Sequence, residues 1–437
     1  MIDKQKNYGL GPFAVLTFIY FIVGFLTTVN GQFQGPLKIA FLSGADELRN
    51  TLTTLISFFF FLGYLNSFIG GKWINLVGYK KTLLRALSFM IAGLLFFALS
   101  SWFVVHFTEA TVRIGEDTVP YGYFIFLLGS YLMGTSAALL QVVINPYVSA
   151  YQLPGTQPVQ RMNIVCAINS FGTTIAPFFV TGVIFSGVSL ESVTADQLMV
   201  PFLLLALCII VTTLVTSRLS LPDIEGTRAE KGKLKRSIWS FRHLTLGVIA
   251  IFFYVGTEVS VGVNVNLHAM ELIESGHGLS FFGNEHLVLC GLDLGIPALL
   301  ATLYWGGLMI GRLVFSFFNK ISPRILLFAT TLIASVLIVI SMITENLWLL
   351  VSVGLCHSVM WSCVFTLAVT GLKEYTSKAS GIFMMGVFGG AIFPVLQGAM
   401  ADMLSSWQWT WTIALVCELV MLVYAIYGSR VRECDRI

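Results

Sequence analysis

GKWINLVGYKK, residues 71–81, separates two apolar runs with glycines, an asparagine and a pair of lysines. In the pattern G-x-x-x-N-x-x-G-x-K-K, Gly71 permits two helices to approach closely and Gly78 permits a tight turn. Asn75 is expected to hydrogen-bond a facing part of the molecule, and Lys80 and Lys81 to anchor the turn on the watery side of a membrane. The stretch therefore reads as a short loop joining two membrane-spanning helices.

The composition agrees. Of 437 residues, 56% are hydrophobic and 11% charged, and the mean hydropathy is +0.85; an average soluble domain is about a quarter charged. Apolar runs recur along the whole length, which leaves no room for a separate catalytic domain. Spans are expected near 12–41, 50–77, 82–107, 121–150, 162–186, 200–217, 243–268, 294–318, 324–342, 347–370, 379–401 and 408–428. The long first and fourth must tilt, kink or extend past the bilayer. The expected fold is an all-α membrane protein of twelve transmembrane helices in two six-helix pseudo-repeats.

Charge sets the orientation. With the N-terminus inside, of 25 basic residues only Lys38, Arg49, Arg113 and Arg312 fall outside the cytoplasmic segments. Both termini are therefore expected in the cytoplasm. MIDKQKNYGLGP (1–12) is basic, but no small-residue cleavage site follows the first apolar run, so the run reads as span one. The seven cysteines show no metal-ligand spacing and read as small apolar packers. No phosphate-binding loop, nucleophile triad or metal-spaced cluster appears, which argues against an ATP-driven pump or a membrane enzyme. No cofactor is expected beyond Na+ or H+ as a coupling ion.

The basic stretch RLSLPDIEGTRAEKGKLKRSIWSFR divides the chain into a bundle over 1–217, a linker over 218–242 and a second bundle over 243–437. Duplication is visible: FGTTIAP (171–177) and FGGAIFP (388–394) share F-G-x-x-I-x-P in the fifth span of each half. Parallel six-span repeats are the layout of the major facilitator transporters, and residues 71–81 resemble that superfamily's signature loop. FFNKISPR (317–324) holds a degenerate counterpart.

Gln141 and Asn145, in LLQVVINPY (139–147), lie four residues apart and so on one helix face. An amide in the hydrocarbon region must face protein or water. The pair can hydrogen-bond a polar, uncharged solute in a cavity, or with Pro146 it can simply end span four.

LLQVVINPY and RMNIVCAINSFGTTIAP (161–177), with PLKIAF (36–41), YVGTEVSVG (254–262), YWGGLMIGR (304–312) and GGAIFPVLQGAMAD (389–402), resemble the bacterial fucose and glucose/galactose permeases of the major facilitator superfamily. The resemblance implies an inner-membrane symporter importing a monosaccharide with a cation by alternating access. It also implies departures: fucose-carrying relatives have carboxylates at the positions of Gly31 and Gln141, and relatives have glutamine at Cys166. Glucose or galactose is therefore favoured over fucose.

In FYVGTEVSVGVNVNLHAM (253–270), Glu258, Gly262 and Asn266 recur at i, i+4 and i+8. An ionisable group inside a span defaults to function. Glu258 is expected to be neutralised by a proton, by Na+ with Thr257 and Asn266, or structurally by Arg312. Sugar recognition needs amides and flat rings. Thr28, Asn30, Gln32 and Gln34 in span one, Asn163 and Asn169 in span five, and Trp305, His357 and Trp361 in spans eight and ten are the candidates beside Gln141 and Asn145. Gly71, Asn75, Gly78, Lys80, Lys81 and Arg312 are the candidate gating residues. The alternatives are a sugar uniporter, an N-acetylhexosamine carrier, a transport-dead sugar sensor and a multidrug exporter of the same fold. The expected partners are a monosaccharide and the lipid bilayer, with no nucleic acid, and the chain is expected to be monomeric.

Overall fold

The structure is a computed structural model that describes all residues except 1–9, 33–36, 38–39, 43–48, 115–116, 152, 155, 157, 181–193, 222–235, 277, 285, 290–291, 316–320, 405 and 432–437. The N-terminal helices are α1 (Leu10–Gln32), α2 (Leu55–Val77), α3 (Tyr79–His106), α4 (Tyr121–Ala150), α5 (Pro158–Phe179) and α6 (Ala195–Arg218). The C-terminal ones are α7 (Arg242–Glu274), α8 (Ile296–Phe315), α9 (Pro323–Thr344), α10 (Leu347–Val369), α11 (Lys378–Ala401) and α12 (Gln408–Gly428). Eleven are long and apolar enough to cross a membrane; in α5 the described apolar stretch, Ile164–Ala176, is shorter. Two small antiparallel hairpins, β1–β2 (Thr111–Ile114, Asp117–Pro120) and β3–β4 (His286–Leu289, Leu292–Gly295), join α3 to α4 and α7 to α8. Neither was expected from the sequence.

The first helix is described as far as Gln32, and the expected continuation to 41 falls largely on residues outside the described ones. The fourth matches its expected range, and its helix continues through Pro146 to Ala150, so Asn145 and Pro146 do not end it. A proline inside a spanning helix is tolerated when neighbours satisfy the freed carbonyl. α4 is the most buried of the described spans, although Tyr121, Phe124 and Leu128 near its start are exposed.

The two halves repeat one packing scheme. In FGTTIAP, Gly172 lets α5 sit against the Phe21 carbonyl of α1; in FGGAIFP, Gly389 lets α11 sit against the Phe252 carbonyl of α7. Reciprocally, Gly24 of α1 accommodates Asn169 and Gly256 of α7 accommodates Phe393. Those glycines close F-x-V-G in FIVG (21–24) and FYVG (253–256), a second internal match. Lys80, at the start of α3, donates 2.8 Å to the Ser217 carbonyl at the end of α6. Arg324, at the start of α9, donates 2.7 Å to the Ala425 carbonyl of α12 and also reaches Ile426. The signature loop and its degenerate counterpart thus perform the same tie, although residues 317–320 of the latter lie outside the described residues.

The halves meet along α2–α11 and α5–α8. Ser67 Oγ donates 2.8 Å to the Gly381 carbonyl, Phe58 and Phe388 rings lie 6.0 Å apart, and Gly390 abuts Phe61. Asn75 is a correction: it is exposed and makes no hydrogen bond to the other half among the described residues. The inward face of this part of α2 is Ser67, Gly70, Gly71 and Ile74. Asn75 follows Ile74 by about 100° of helix rotation, so Ser67 makes the cross-half bond instead. Gly78, at φ 89°, closes α2 in a conformation suited to glycine, while Lys81 is exposed. Outward faces of α6 and α9, such as Leu204, Leu207, Leu214, Ile325 and Ile333, are apolar and exposed, as a lipid-facing surface requires.

Candidate functional site

Four helices of the first half aim neutral polar groups at the centre. Gln141 Nε2 donates 2.9 Å to the Tyr64 hydroxyl across α4 and α2. One turn further along α4, buried Asn145 lies beside Tyr20 of α1, and its Oδ1 has no hydrogen-bond partner. Cys166 of α5 is buried beside Tyr20. Each amide of the expected pair therefore faces a tyrosine. Among the described residues, no atom lies within 4 Å of the place where a Cβ would project from Gly31.

The second half supplies the charge. Glu258 Oε1 accepts 2.8 Å from the Tyr254 hydroxyl and lies 4.0 Å from an Arg312 nitrogen. Arg312 then reaches across the interface: Nε donates to the Ser358 carbonyl of α10 at 3.1 Å, and one terminal nitrogen bonds Ser170 Oγ and the Cys166 carbonyl of α5. Glu258 is also close enough to Tyr64 for the two to interact electrostatically. One guanidinium consequently joins the acidic group of one half to the backbone of the other.

Several expected site residues are occupied elsewhere. Asn30 Oδ1 accepts from Ser130 Oγ at 2.9 Å, tying α1 to α4. Asn169 Nδ2 donates 2.7 Å to the Tyr20 carbonyl at the α1–α5 crossing. Trp305 packs edge-on to Tyr304 and fills the space above Gly262. Trp361 is half-buried against Tyr254, the tyrosine bonded to Glu258, and Phe383. Thr28 is buried on α1. The side chains of Gln32 and Asn163, and all of Gln34, lie outside the described residues.

Asn266 is half-buried, about 80° of helix rotation from Glu258. Asn264, about 120° round the helix from Glu258, is buried and bonds Gln397 Oε1 at 2.9 Å, while Gln397 bonds Thr410 at 3.0 Å. His357 is wholly buried and engaged: Nδ1 lies 2.7 Å from the Tyr304 hydroxyl and Nε2 2.7 Å from Glu418 Oε1. It therefore presents no free edge to a sugar.

Sequence reasoning missed Tyr20, Tyr64, Tyr254, Tyr304 and Glu418. Glu418 was readable, being a carboxylate within the apolar run TIALVCELVMLV, by the rule that singled out Glu258. The tyrosines were not, because only helix rotation decides whether a hydroxyl points inward. Away from this cluster, Phe59, Leu62, Leu65, Phe124 and Leu128 line an open, mainly apolar groove of about 570 Å³ between α2 and α4, whose polar lining residues, Asn66 and Tyr131, are bonded to each other.

Known proteins share this architecture. The family model described as Major Facilitator Superfamily matches residues 13–393. A glucose/galactose transporter of Brucella abortus biovar 1 (strain 9-941) is 31% identical over 98% of this chain and 96% of its own. The L-fucose-proton symporter of Escherichia coli (strain K12) is 23% identical over 98% and 96%. Among solved structures, the major facilitator transporter FucP in an outward conformation superposes with a TM-score of 0.72 at 20% identity, covering 96% of this chain and 99% of that one. With its repeated six-helix packing, the signature loop and a family match running from α1 into α11, this chain belongs to the Major Facilitator Superfamily, a family of transporters rather than enzymes.

Proposed function

We propose that the chain imports a hexose of the glucose/galactose type by cation symport with alternating access. It would act as a monomer in the bacterial inner membrane with both termini in the cytoplasm. The observation that carries this reading is the centre of the molecule, where tyrosine hydroxyls and amides from α1, α2 and α4 face the Glu258–Arg312 pair. The unpartnered Asn145 Oδ1 is an acceptor waiting for a donor such as a sugar hydroxyl. Half-buried Trp361 offers a ring for the C–H face of a pyranose. The names of the curated relatives, glucose/galactose transporter and L-fucose-proton symporter, favour a sugar.

Coupling follows from Arg312. When a cation neutralises Glu258, the guanidinium loses its acidic partner in the second half while keeping Ser170 and Cys166 in the first. Occupancy of Glu258 thereby changes the energy of the contact between halves, which alternating access requires. The first half, whose described mid-helix stretches carry no carboxylate, supplies hydroxyl recognition, since an amide bonds a hydroxyl without taking its proton.

The test is uptake into proteoliposomes of labelled glucose, galactose, fucose or N-acetylglucosamine under a Na+ gradient, a pH gradient or neither. Accumulation of glucose or galactose under one gradient is the expected result. Equilibration without accumulation would make the protein a uniporter. Saturable binding without flux would make it a sensor, and efflux of hydrophobic cations an exporter.

A further inference from the structure

A second ionisable pair lies deeper in the C-terminal half. Glu418 of α12 and His357 of α10 are both completely buried, and their Oε1 and Nε2 atoms are 2.7 Å apart. The remaining carboxylate oxygen, Oε2, has no hydrogen-bond partner. We propose that Glu418 and His357 together form a second proton-binding site, holding one proton between them in this enclosed state and linked through Tyr254 to Glu258. Its role in coupling rests on the symport reading above; its occupancy by a proton rests on geometry alone.

The argument begins with charge. A neutral His357 beside an ionised Glu418 leaves one net negative charge with an oxygen that nothing satisfies, and an isolated buried charge costs several kcal/mol. The titratable neighbours do not cancel it. Tyr304 from α8 and Tyr254 from α7 are neutral hydroxyls, Cys356 and Cys417 are thiols on the same two helices, and Glu258 from α7 is itself acidic. Arg312 is the nearest cation named by these contacts, and its bonds go to Ser358, Ser170, Cys166 and Glu258. One added proton, taken from solvent, makes the pair neutral, whether it resides on the carboxyl or completes an imidazolium beside a carboxylate. It also removes the need for a donor at Oε2.

The link to Glu258 follows from a shortage of hydrogens. The Tyr254 hydroxyl lies 2.8 Å from Glu258 Oε1 and 3.0 Å from the His357 carbonyl, but has one proton for these two acceptors. With Glu258 ionised, the charge-assisted bond takes that proton. With Glu258 protonated, the carboxyl donates to Tyr254, and Tyr254 donates to the backbone of His357. A change at Glu258 therefore alters the bonding of the residue whose ring holds Glu418.

The experiment uses the full-length protein with Glu418→Gln, His357→Gln and Glu258→Gln variants. Infrared difference spectra between acidic and alkaline pH, with isotope-labelled histidine, should show a protonated-carboxyl or imidazolium band. A carboxyl band is expected to vanish in Glu418→Gln and to shift in His357→Gln, an imidazolium band to vanish in both, and either band to persist in Glu258→Gln. Absence of both bands from the wild type, or survival of either one unchanged in both of the first two variants, would overturn the proton site. For coupling, the ratio of pH-driven accumulation to counterflow exchange is read in Glu418→Gln. One proton per sugar is worth about tenfold accumulation, or 1.36 kcal/mol, per pH unit, so the ratio should fall by roughly that factor. A parallel loss of both activities would overturn the coupling role. If no sugar moves in any variant, the transport reading fails while the infrared band still decides the proton site.

Discussion

The two halves share a scaffold and differ in what they bring to the centre. In the first, Tyr20, Tyr64, Gln141 and Asn145 are neutral at any pH a cell meets, and the described middle portions of α1–α6 hold no acidic side chain. In the second, Glu258, Arg312, His357 and Glu418 are ionisable and mutually bonded. Duplication fixed the helix crossings, but the polar centres diverged. On the symport reading proposed above, this difference amounts to a division of labour, with hydroxyl recognition in the neutral half and ion handling in the charged one.

The sharpest way to break that division is at Arg312, which spans it. Arg312→Ala leaves Glu258 buried without its cation, and breaking a buried pair from one side costs about 3–5 kcal/mol. A large drop in thermal stability of the purified protein is expected, together with loss of uptake. Glu258→Gln combined with Arg312→Gln should recover much of that stability without recovering gradient-driven accumulation. Recovery of both would mean that the pair is structural.

The shared scaffold is tested next. Gly172 and Gly389 occupy the same place in the two F-G-x-x-I-x-P motifs, each against a carbonyl of the first helix of its half. A methyl at Gly172 would lie 2.6 Å from the Phe21 oxygen, and one at Gly389 would overlap the Phe252 oxygen more deeply. Both contacts are to backbone, which cannot rotate aside. Overpacking costs about 1–3 kcal/mol, so Gly172→Ala and Gly389→Ala should both lower the melting temperature, Gly389→Ala by more. Equal melting temperatures for wild type and Gly389→Ala would contradict the crossing geometry.

The same contrast explains what the sequence made legible. Spans, the repeat and the signature loop depend on patterns over many residues, so FGTTIAP, FGGAIFP and GKWINLVGYKK could be read directly. Side-chain partners depend on rotation about each helix axis. Asn75 lies about 100° from the inward face of its helix, and His357, Asn30 and Asn169 proved to be bonded to protein. The functional class survived those errors because it rests on the arrangement of helices, whereas the site does not.

The smallest expected effect probes the neutral half itself. Gln141 holds the Tyr64 hydroxyl through one neutral hydrogen bond at 2.9 Å, and such a bond contributes about 0.5–1.5 kcal/mol net. Gln141→Ala should therefore weaken sugar binding by roughly 2- to 13-fold, measured by titration calorimetry or by the half-saturation of counterflow. Because the amide neither gains nor loses a proton near neutrality, the pH dependence of uptake should keep its wild-type shape. Glu258→Gln should do the reverse, changing the response to a pH gradient more than the affinity for sugar. If Gln141→Ala instead shifts the pH profile while leaving affinity intact, ion handling extends into the first half, and the division between the two centres is wrong.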